Sequence, residues 1–447
     1  MAFQMLGLNK EALLSDRSIQ NFGKLQGLSL SLQQKGKGLP HRMTKGDKMM
    51  QIINVANLYD MPIREYMITN KLHEFPISEV EDLAVRYKNY KLLNSVYDYT
   101  DMLIMAKSRE LDIPELDYLF IDEAQDLSTL QWILVDRLAS KAGKIIIAGD
   151  DKQAIGIFSG ADVDTFLSLP GKVEVLQQSY RIPKAVFAQA NNLMKRMTKF
   201  RREGSNWKPR KEEGVVKRVS SIPLAELAKG DWLVLARGGY QLETLRDQLL
   251  NCGKENPPLY FTVNNAPPID LDAYRVLGLF EMYKYKVKEM QDLVTLSDDD
   301  PTDLRKQKLE YILLLKKFVS TGRNNMQPWE VDDHFRLQLV EPWYVAMDRL
   351  TLQQRNYLKY TYNKYIELGN DLFKDVLIRL MTIHASKGRE ADNVLVYLNV
   401  PKVVEEELLL EESDVEVKTF YVAITRAKKK LLLYKHKHQH RCYDNLI

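Results

Sequence analysis

Only two cysteines, Cys252 and Cys442, occur in 447 residues, too few for the disulfide framework that staples small secreted domains. No apolar run approaches the roughly 18 residues a membrane span requires, and no basic segment followed by an apolar core opens the chain as a secretion signal would. These absences predict a soluble protein in a reducing, cytoplasmic setting, without a membrane partner. Charge of one sign is lacking too. With 64 Lys and Arg against 60 Asp and Glu, the net charge is +4, which permits a nucleic-acid partner without arguing for one. Neither an internal repeat at a solenoid period nor a low-complexity tract is present. The length exceeds the roughly 250 to 300 residues at which a single core stops growing, so two or three domains are expected.

What is there begins with uneven charge. One basic cluster runs from Lys195 through Arg196, Lys199, Arg201 and Arg202 to Lys208, Arg210 and Lys211, and a second from Arg426 to Arg441. Composition alone reads both as solvated surface. From Met1 to about Tyr90 the sequence reads as irregular and helical. At Leu116 short apolar runs take over: Leu116 to Ile121 ends abruptly in acids, and Lys144 to Ala148 does the same before Gly149. Strands apolar on both faces belong to parallel sheets covered by helices, and ligands of such sheets lie beyond the carboxyl ends of the strands. The two polar clusters therefore point to one site. A strand over Val173 to Leu176 and a helix from Lys184 to about Met197 are predicted next. Apolar runs at Trp232 to Ala236, Val394 to Val400 and Leu431 to Tyr434 predict a second parallel sheet. Charged, aromatic-rich helical sequence between about Tyr285 and Leu377 reads as an insertion in it.

The segment Leu119-Phe120-Ile121-Asp122-Glu123-Ala124-Gln125-Asp126 delivers two adjacent carboxylates from a strand end. Nucleotide hydrolysis uses such a pair, one carboxylate holding Mg²⁺ and the other orienting the attacking water. Asp122 suits the first role and Glu123 the second; the plain alternative is an acidic strand end capping the next helix. Past the second strand, Gln153 is placed to contact a terminal phosphate. Phe158 offers a ring for base stacking, against the ordinary alternative of an aromatic in the core. His436, His438 and His440 alternate, so on a strand they would share one face and could hold a metal, although a plain strand with a basic tail accounts for them equally.

Five ordered segments make the pattern specific: Asp122 to Asp126, Gly149 to Ala161, Gln178 to Arg181, Thr382 to Glu390, and Tyr421 to Ala427. The sequence resembles the UvrD/Rep/PcrA helicases of superfamily 1A from about Tyr97 to Arg441, and Tyr97 to Leu103 is similar to the aromatic-acidic segment ahead of the first of these motifs. The resemblance implies an α/β fold of the P-loop NTPase type: two RecA-like parallel-sheet domains with helical insertions, and ATP with Mg²⁺ in the cleft between them. Residues 1–173 would form an incomplete first domain with a small helical region over about 1–95. Residues 174–447 would form the second, with its helical insertion over about 285–377. Arg181 and Arg426 would reach the γ-phosphate from the second domain as arginine fingers. Tyr180 would lie against adenine, Glu390 near the ribose with Gly388 beside it, and Phe158, Thr382 and His384 on single-stranded DNA. Movement would be 3′ to 5′, with duplex junctions as substrates. At Gly156 the sequence departs from the family, where many relatives carry a second stacking tyrosine; Trp207 or Trp343 are the candidate replacements.

A motor of this kind cradles phosphates with G-x-x-x-x-G-K-[ST], and no such string occurs in these residues. The Gly-Lys pairs beginning at Gly23, Gly36, Gly143, Gly171 and Gly253 run into Leu25, Gly38, Ile145, Val173 and Glu255, none able to hold Mg²⁺ as Ser or Thr would. Three readings follow. The favoured one is part of a split or truncated helicase, whose loop comes from a separate N-terminal fragment. The others are a non-hydrolysing DNA-binding or partner-binding remnant, and a decoy that borrows the fold.

Overall fold

A computed structural model describes residues 12–30, 43–156, 160–197, 207–250, 260–269, 350–373, 376–402 and 414–436, with a few single positions besides. The chain divides into two compact units, Met1–Leu242 with Leu380–Ile447, and Glu243–Arg379.

The first unit opens with helices Asp16–Leu25, Lys45–Leu58, Ile63–Thr69, Ile77–Leu93 and Tyr99–Ser108. Their starts are written locally. Thr44 and Asp47 exchange side-chain and backbone hydrogen bonds in a capping box, and Asp98 and Asp101 do the same, satisfying amides that a helix leaves unpaired. Phe22, Met49, Ile53, Met67, Val80, Leu83 and Tyr87 close a small core between these helices. Beneath it the Lys91 ammonium bridges Asp98 at 2.7 Å and Asp101 at 2.6 Å, while the Tyr87 hydroxyl donates to Asp98 at 3.1 Å. Burial and the neighbouring Asp98 charge push the Asp101 carboxyl up. The aromatic-acidic segment from Tyr97 is thus the capped start of a helix.

Strands β1 (Leu116–Ile121) and β2 (Ala142–Ile147) pair in parallel, Leu119 opposite Ile145 and Ile121 opposite Ile147, with helix Thr129–Ala139 between them in sequence. Among the described residues they pair only with each other. Successive side chains alternate between faces, so Tyr118, Phe120 and Ile146 share one. Phe120 is 69% exposed and Tyr118 55%, their rings 5.9 Å apart.

The sequence reading of a strand over Val173 to Leu176 is incorrect. That stretch has no strand assignment, and Val173, Val175 and Leu176 are all exposed. Alternation with Lys172 and Glu174 imitated a strand, but among the described residues no ladder partner lies alongside, and a strand without one leaves its backbone groups to water.

In chain order β3 (Val215–Val219), β4 (Trp232–Ala236), β5 (Phe261–Val263), β6 (Ile378–Thr382), β7 (Ala391–Tyr397) and β8 (Ala427–Tyr434) follow. The first unit's sheet runs β3-β8-β7-β4-β6, and its β3·β8, β8·β7 and β7·β4 pairs are all parallel. Helices Lys184–Met194 and Asp414–Ile424 pack on it, closing a core that includes Val186, Leu193, Leu235, Val394, Val396, Phe420 and Leu431. Trp207, offered as a stacking platform, instead packs edge-on against Phe187 at 4.7 Å beside this core.

In the second unit, helix Leu352–Leu368 starts at a capping box of Thr351 and Gln354 and buries Leu358 and Tyr362 against Leu271. Most of the expected insertion before residue 350 lies outside the described residues, as do Phe158, Trp343, His438, His440 and Cys252. Among the described residues no helix is long and apolar enough to cross a membrane.

Candidate functional site

The site is built where β1 and β2 end. Ala148 donates to the Ile121 carbonyl at 2.8 Å and Ala124 to the Ala148 carbonyl at 3.0 Å, so the two strand ends are tied side by side and their polar continuations share one rim. Immediately after β1 the chain turns sharply, with Glu123 at φ 51° and ψ 37°, a left-handed conformation that costs a non-glycine residue energy and persists where surrounding bonds fix it. Those bonds are present. The Glu123 amide donates to the Asp122 carboxylate at 2.8 Å, and the Glu123 carboxylate accepts from the Gln125 side chain at 2.6 Å.

Gln125, to which sequence reasoning gave no role, is fully buried and joins the two strand ends. Its amide nitrogen holds Glu123, and its amide oxygen accepts from the Asp150 backbone at 2.9 Å. Gly149 leaves the room for this. A Cβ there would stand 2.6 Å from the Gln125 oxygen and 2.7 Å from the Phe166 ring. The available signal was a neutral amide set between the acids of a D-E-x-Q-D string.

Gln153 sits one turn further on. Its side-chain nitrogen donates to Asp150 at 2.7 Å, and its side-chain oxygen accepts from Arg426 Nη2 at 2.8 Å. Arg426 comes from the other sheet, between helix Asp414–Ile424 and β8, and is only 1% exposed. Its Nε donates to the Val422 carbonyl at 2.9 Å and its Nη2 to the Thr425 hydroxyl at 3.2 Å. Burial, then the neighbouring Arg181 guanidinium, lower its pKa to about 10. Arg181 in turn lies 3.3 Å from Glu390, which also pairs with Lys428 at 2.6 Å; the Lys428 contact holds the Glu390 carboxyl below its usual range. Two guanidinium groups crowded together, one of them desolvated, make a place where an anion relieves the charge.

A second cation reaches the same rim. Lys387 donates to the Gln153 carbonyl at 2.9 Å, bonds the Asp126 carboxylate and stands 3.7 Å from Glu123. The sequence reading quoted Lys387 without a role. Gly388 after it has φ 74°, the conformation a tight turn demands at that point. The structure thus brings Glu123, Gln153 and Arg426 together with Asp122, which bonds Glu123, and Arg181, which lies beside Arg426. Tyr180, 86% exposed, presents an open ring next to Arg181.

Thr382 and His384 lie at the carboxyl end of β6. The Thr382 hydroxyl accepts from the Ala385 amide at 3.2 Å. His384 is held close to 4 by burial, with the Arg237 charge adding and Glu416 opposing, so its ring is neutral near pH 7. Arg237, just past β4, bonds the wholly buried Glu416 from Nε at 2.9 Å and 3.1 Å, and the Tyr443 hydroxyl donates to the same carboxylate at 2.7 Å. Within the described part of the second basic cluster, Lys429 pairs with Asp392 at 2.7 Å and Lys430 with Glu226 at 2.8 Å. No group of three or more potential metal ligands occurs among the described residues.

Two α/β parallel-sheet lobes, with carboxylates at the strand ends of one and a buried guanidinium supplied by the other, define a RecA-like protein. A family model for the UvrD/REP helicase N-terminal domain matches residues 5–174, and one for the UvrD-like helicase C-terminal domain matches residues 274–438. The chain belongs to the UvrD-like helicase family of superfamily 1A. It is 22% identical over 443 residues to a probable DNA helicase II homolog of Mycoplasma genitalium, covering 83% of this chain and 63% of that protein. With the ATP-dependent DNA helicase Rep of Buchnera aphidicola it shares 22% over 474 residues, covering 84% of this chain and 72% of Rep. The ATP-dependent DNA helicase PcrA of Bacillus subtilis is 31% identical over 145 residues, covering 29% of this chain and 18% of PcrA.

Proposed function

We propose that this chain is the motor core of an ATP-dependent translocase and helicase acting on single-stranded DNA and duplex junctions, moving 3′ to 5′. One observation carries the reading: Arg426 of one sheet donates to Gln153 of the other at 2.8 Å, so the cations and carboxylates that phosphoryl transfer uses converge in one place. The residues fit Mg-ATP. Asp122 would hold Mg²⁺, whose charge offsets that of the phosphates, and Glu123 would orient and polarise the attacking water. Gln153 would contact the terminal phosphate, and Arg426 with Arg181 would meet the charge that spreads over phosphoryl oxygens. Tyr180 and Glu390, with Gly388 beside it, would take adenine and ribose. Phe158, Thr382 and His384 would meet DNA.

The phosphate-cradling loop is the missing part, and we place its source outside these 447 residues. Support comes from the uncovered face of β1 and β2, where Tyr118, Phe120 and Ile146 stand exposed and a further strand with its loop and helix would pack. The test is ATP hydrolysis by the chain with and without a polypeptide carrying that strand and loop. Turnover that appears only on addition, and disappears with Glu123→Gln, supports the motor. DNA binding indifferent both to ATP and to Glu123→Gln would replace it with the second reading, a DNA-binding remnant, which the absence of a G-x-x-x-x-G-K-[ST] string favours.

A further inference from the structure

Lys387 is the one residue of the β6–β7 loop whose ammonium crosses to the first sheet's carboxylates. Its side chain is only 16% exposed. The loop around it is stiffly braced: the Ser386 hydroxyl donates to the Ile383 carbonyl at 2.7 Å, and the Arg389 amide to the Ser386 carbonyl at 2.9 Å. The ammonium therefore moves with the loop rather than alone. It meets three acceptors: the Gln153 carbonyl at 2.9 Å, Asp126, and Glu123 at 3.7 Å. One Asp126 oxygen takes this bond while the other is buried with no hydrogen-bond partner. Among the described residues, the Lys387 ammonium is thus the hydrogen-bond donor that this carboxylate has.

We propose that Lys387 is a latch: in the ligand-free chain it ties the second sheet's loop to Asp126 and Glu123, and a Mg-nucleotide has to displace it before Glu123 can position water. This rests on the reading of the site as a Mg-ATP cleft. The reason for displacement is electrostatic. A divalent cation held at Asp122 and an ammonium 3.7 Å from adjacent Glu123 carry like charge on one rim and repel each other. Once released, the loop is free to shift, and the same loop begins with Thr382 and His384. Lys387 is on this view a positioning residue, acting through Glu123 and through the loop.

Hydrogen exchange on the full chain tests it, read in peptides covering 148–156 and 383–390. Without ligand, Lys387→Met and Asp126→Asn should each speed exchange there at least tenfold with the overall melting curve preserved, and Lys387→Arg should restore most of the protection. Adding Mg²⁺ and a non-hydrolysable ATP analogue, together with the polypeptide that carries the phosphate-cradling loop, should bring wild type and Lys387→Met to the same exchange in 383–390. Unchanged exchange in both ligand-free variants would overturn the latch. Bound analogue that leaves the wild-type protection intact would overturn its displacement. Failure of the analogue to bind at all would count against the ATP reading, with the ligand-free arm still deciding whether the latch exists.

Discussion

The two parallel sheets of the first unit are made from similar apolar runs and end in different states. β4 is buried along its whole length and β7 and β8 bury their carboxyl halves completely, whereas β1 and β2 have no fully buried residue. Hydrophobic burial stabilises the folded state in rough proportion to area removed from water. The second sheet therefore holds itself, while the first gains less from burial and rests on its parallel ladder and strand-end hydrogen bonds. The chemistry divides the same way. The less covered sheet supplies the carboxylates, and the well-packed sheet supplies Arg426, whose placement needs a rigid support.

The sharpest break in that division is Arg426→Ala. With the loop supplied, turnover should fall by about 10³ or more, the order of effect of arginine fingers, while single-strand binding stays within a few fold. Arg426→Lys keeps the charge and loses the planar fork, so it should recover little. A turnover within tenfold of wild type would remove Arg426 from the reaction.

Next in size is a pair of truncations, one on each sheet. Leu395→Ala, in a wholly buried position of β7, should cost about 2 to 5 kcal/mol in denaturant melts. Phe120→Ser on the open face of β1 should stay within about 0.5 kcal/mol and lower the tendency to aggregate. Equal costs would show that the first sheet is already covered.

A third effect is pH-dependent. The folded chain holds His384 near 4 against an ordinary 6.5. Below 6.5 the unfolded chain takes up a proton that the folded chain refuses, so this contribution is present above 6.5 and is lost as pH falls toward 4. The whole loss is on the order of 3 kcal/mol, from about 1.4 kcal/mol per unit. His384→Gln should flatten the stability curve in that window; an unaltered slope would mean that His384 is protonated in the fold.

How much of this could be read from the sequence follows from the same physics. Apolar runs with polar ends gave β4, β7 and β8, because parallel strands covered on both faces need no alternation, and the same pattern gave β1 and β2, which are not so covered here. Val173 to Leu176 misled because a strand needs a partner, which pattern alone does not supply. Ordered motifs marked Glu123, Gln153, Arg181 and Arg426. Lys387 and the Arg237–Glu416 pair stayed hidden, since each works through a partner far along the chain: Lys387 meets Asp126 across 261 positions and Arg237 meets Glu416 across 179. Gln125 was missed although its partners, Glu123 and Asp150, lie only 2 and 25 positions away.

The smallest expected effect concerns the basic run on β8. Lys430 holds Glu226 at 2.8 Å and pulls that carboxyl down, yet both groups face water, where an ion pair gains little over its separate hydration and is screened by salt. Lys430→Ala should therefore leave the melting midpoint almost unmoved, while Glu416→Gln, which leaves Arg237 without its buried counter-charge, should lower it clearly. If the two substitutions proved equally costly, the contrast between a buried pair that fixes the second sheet's strand ends and a solvated pair on its surface would fail.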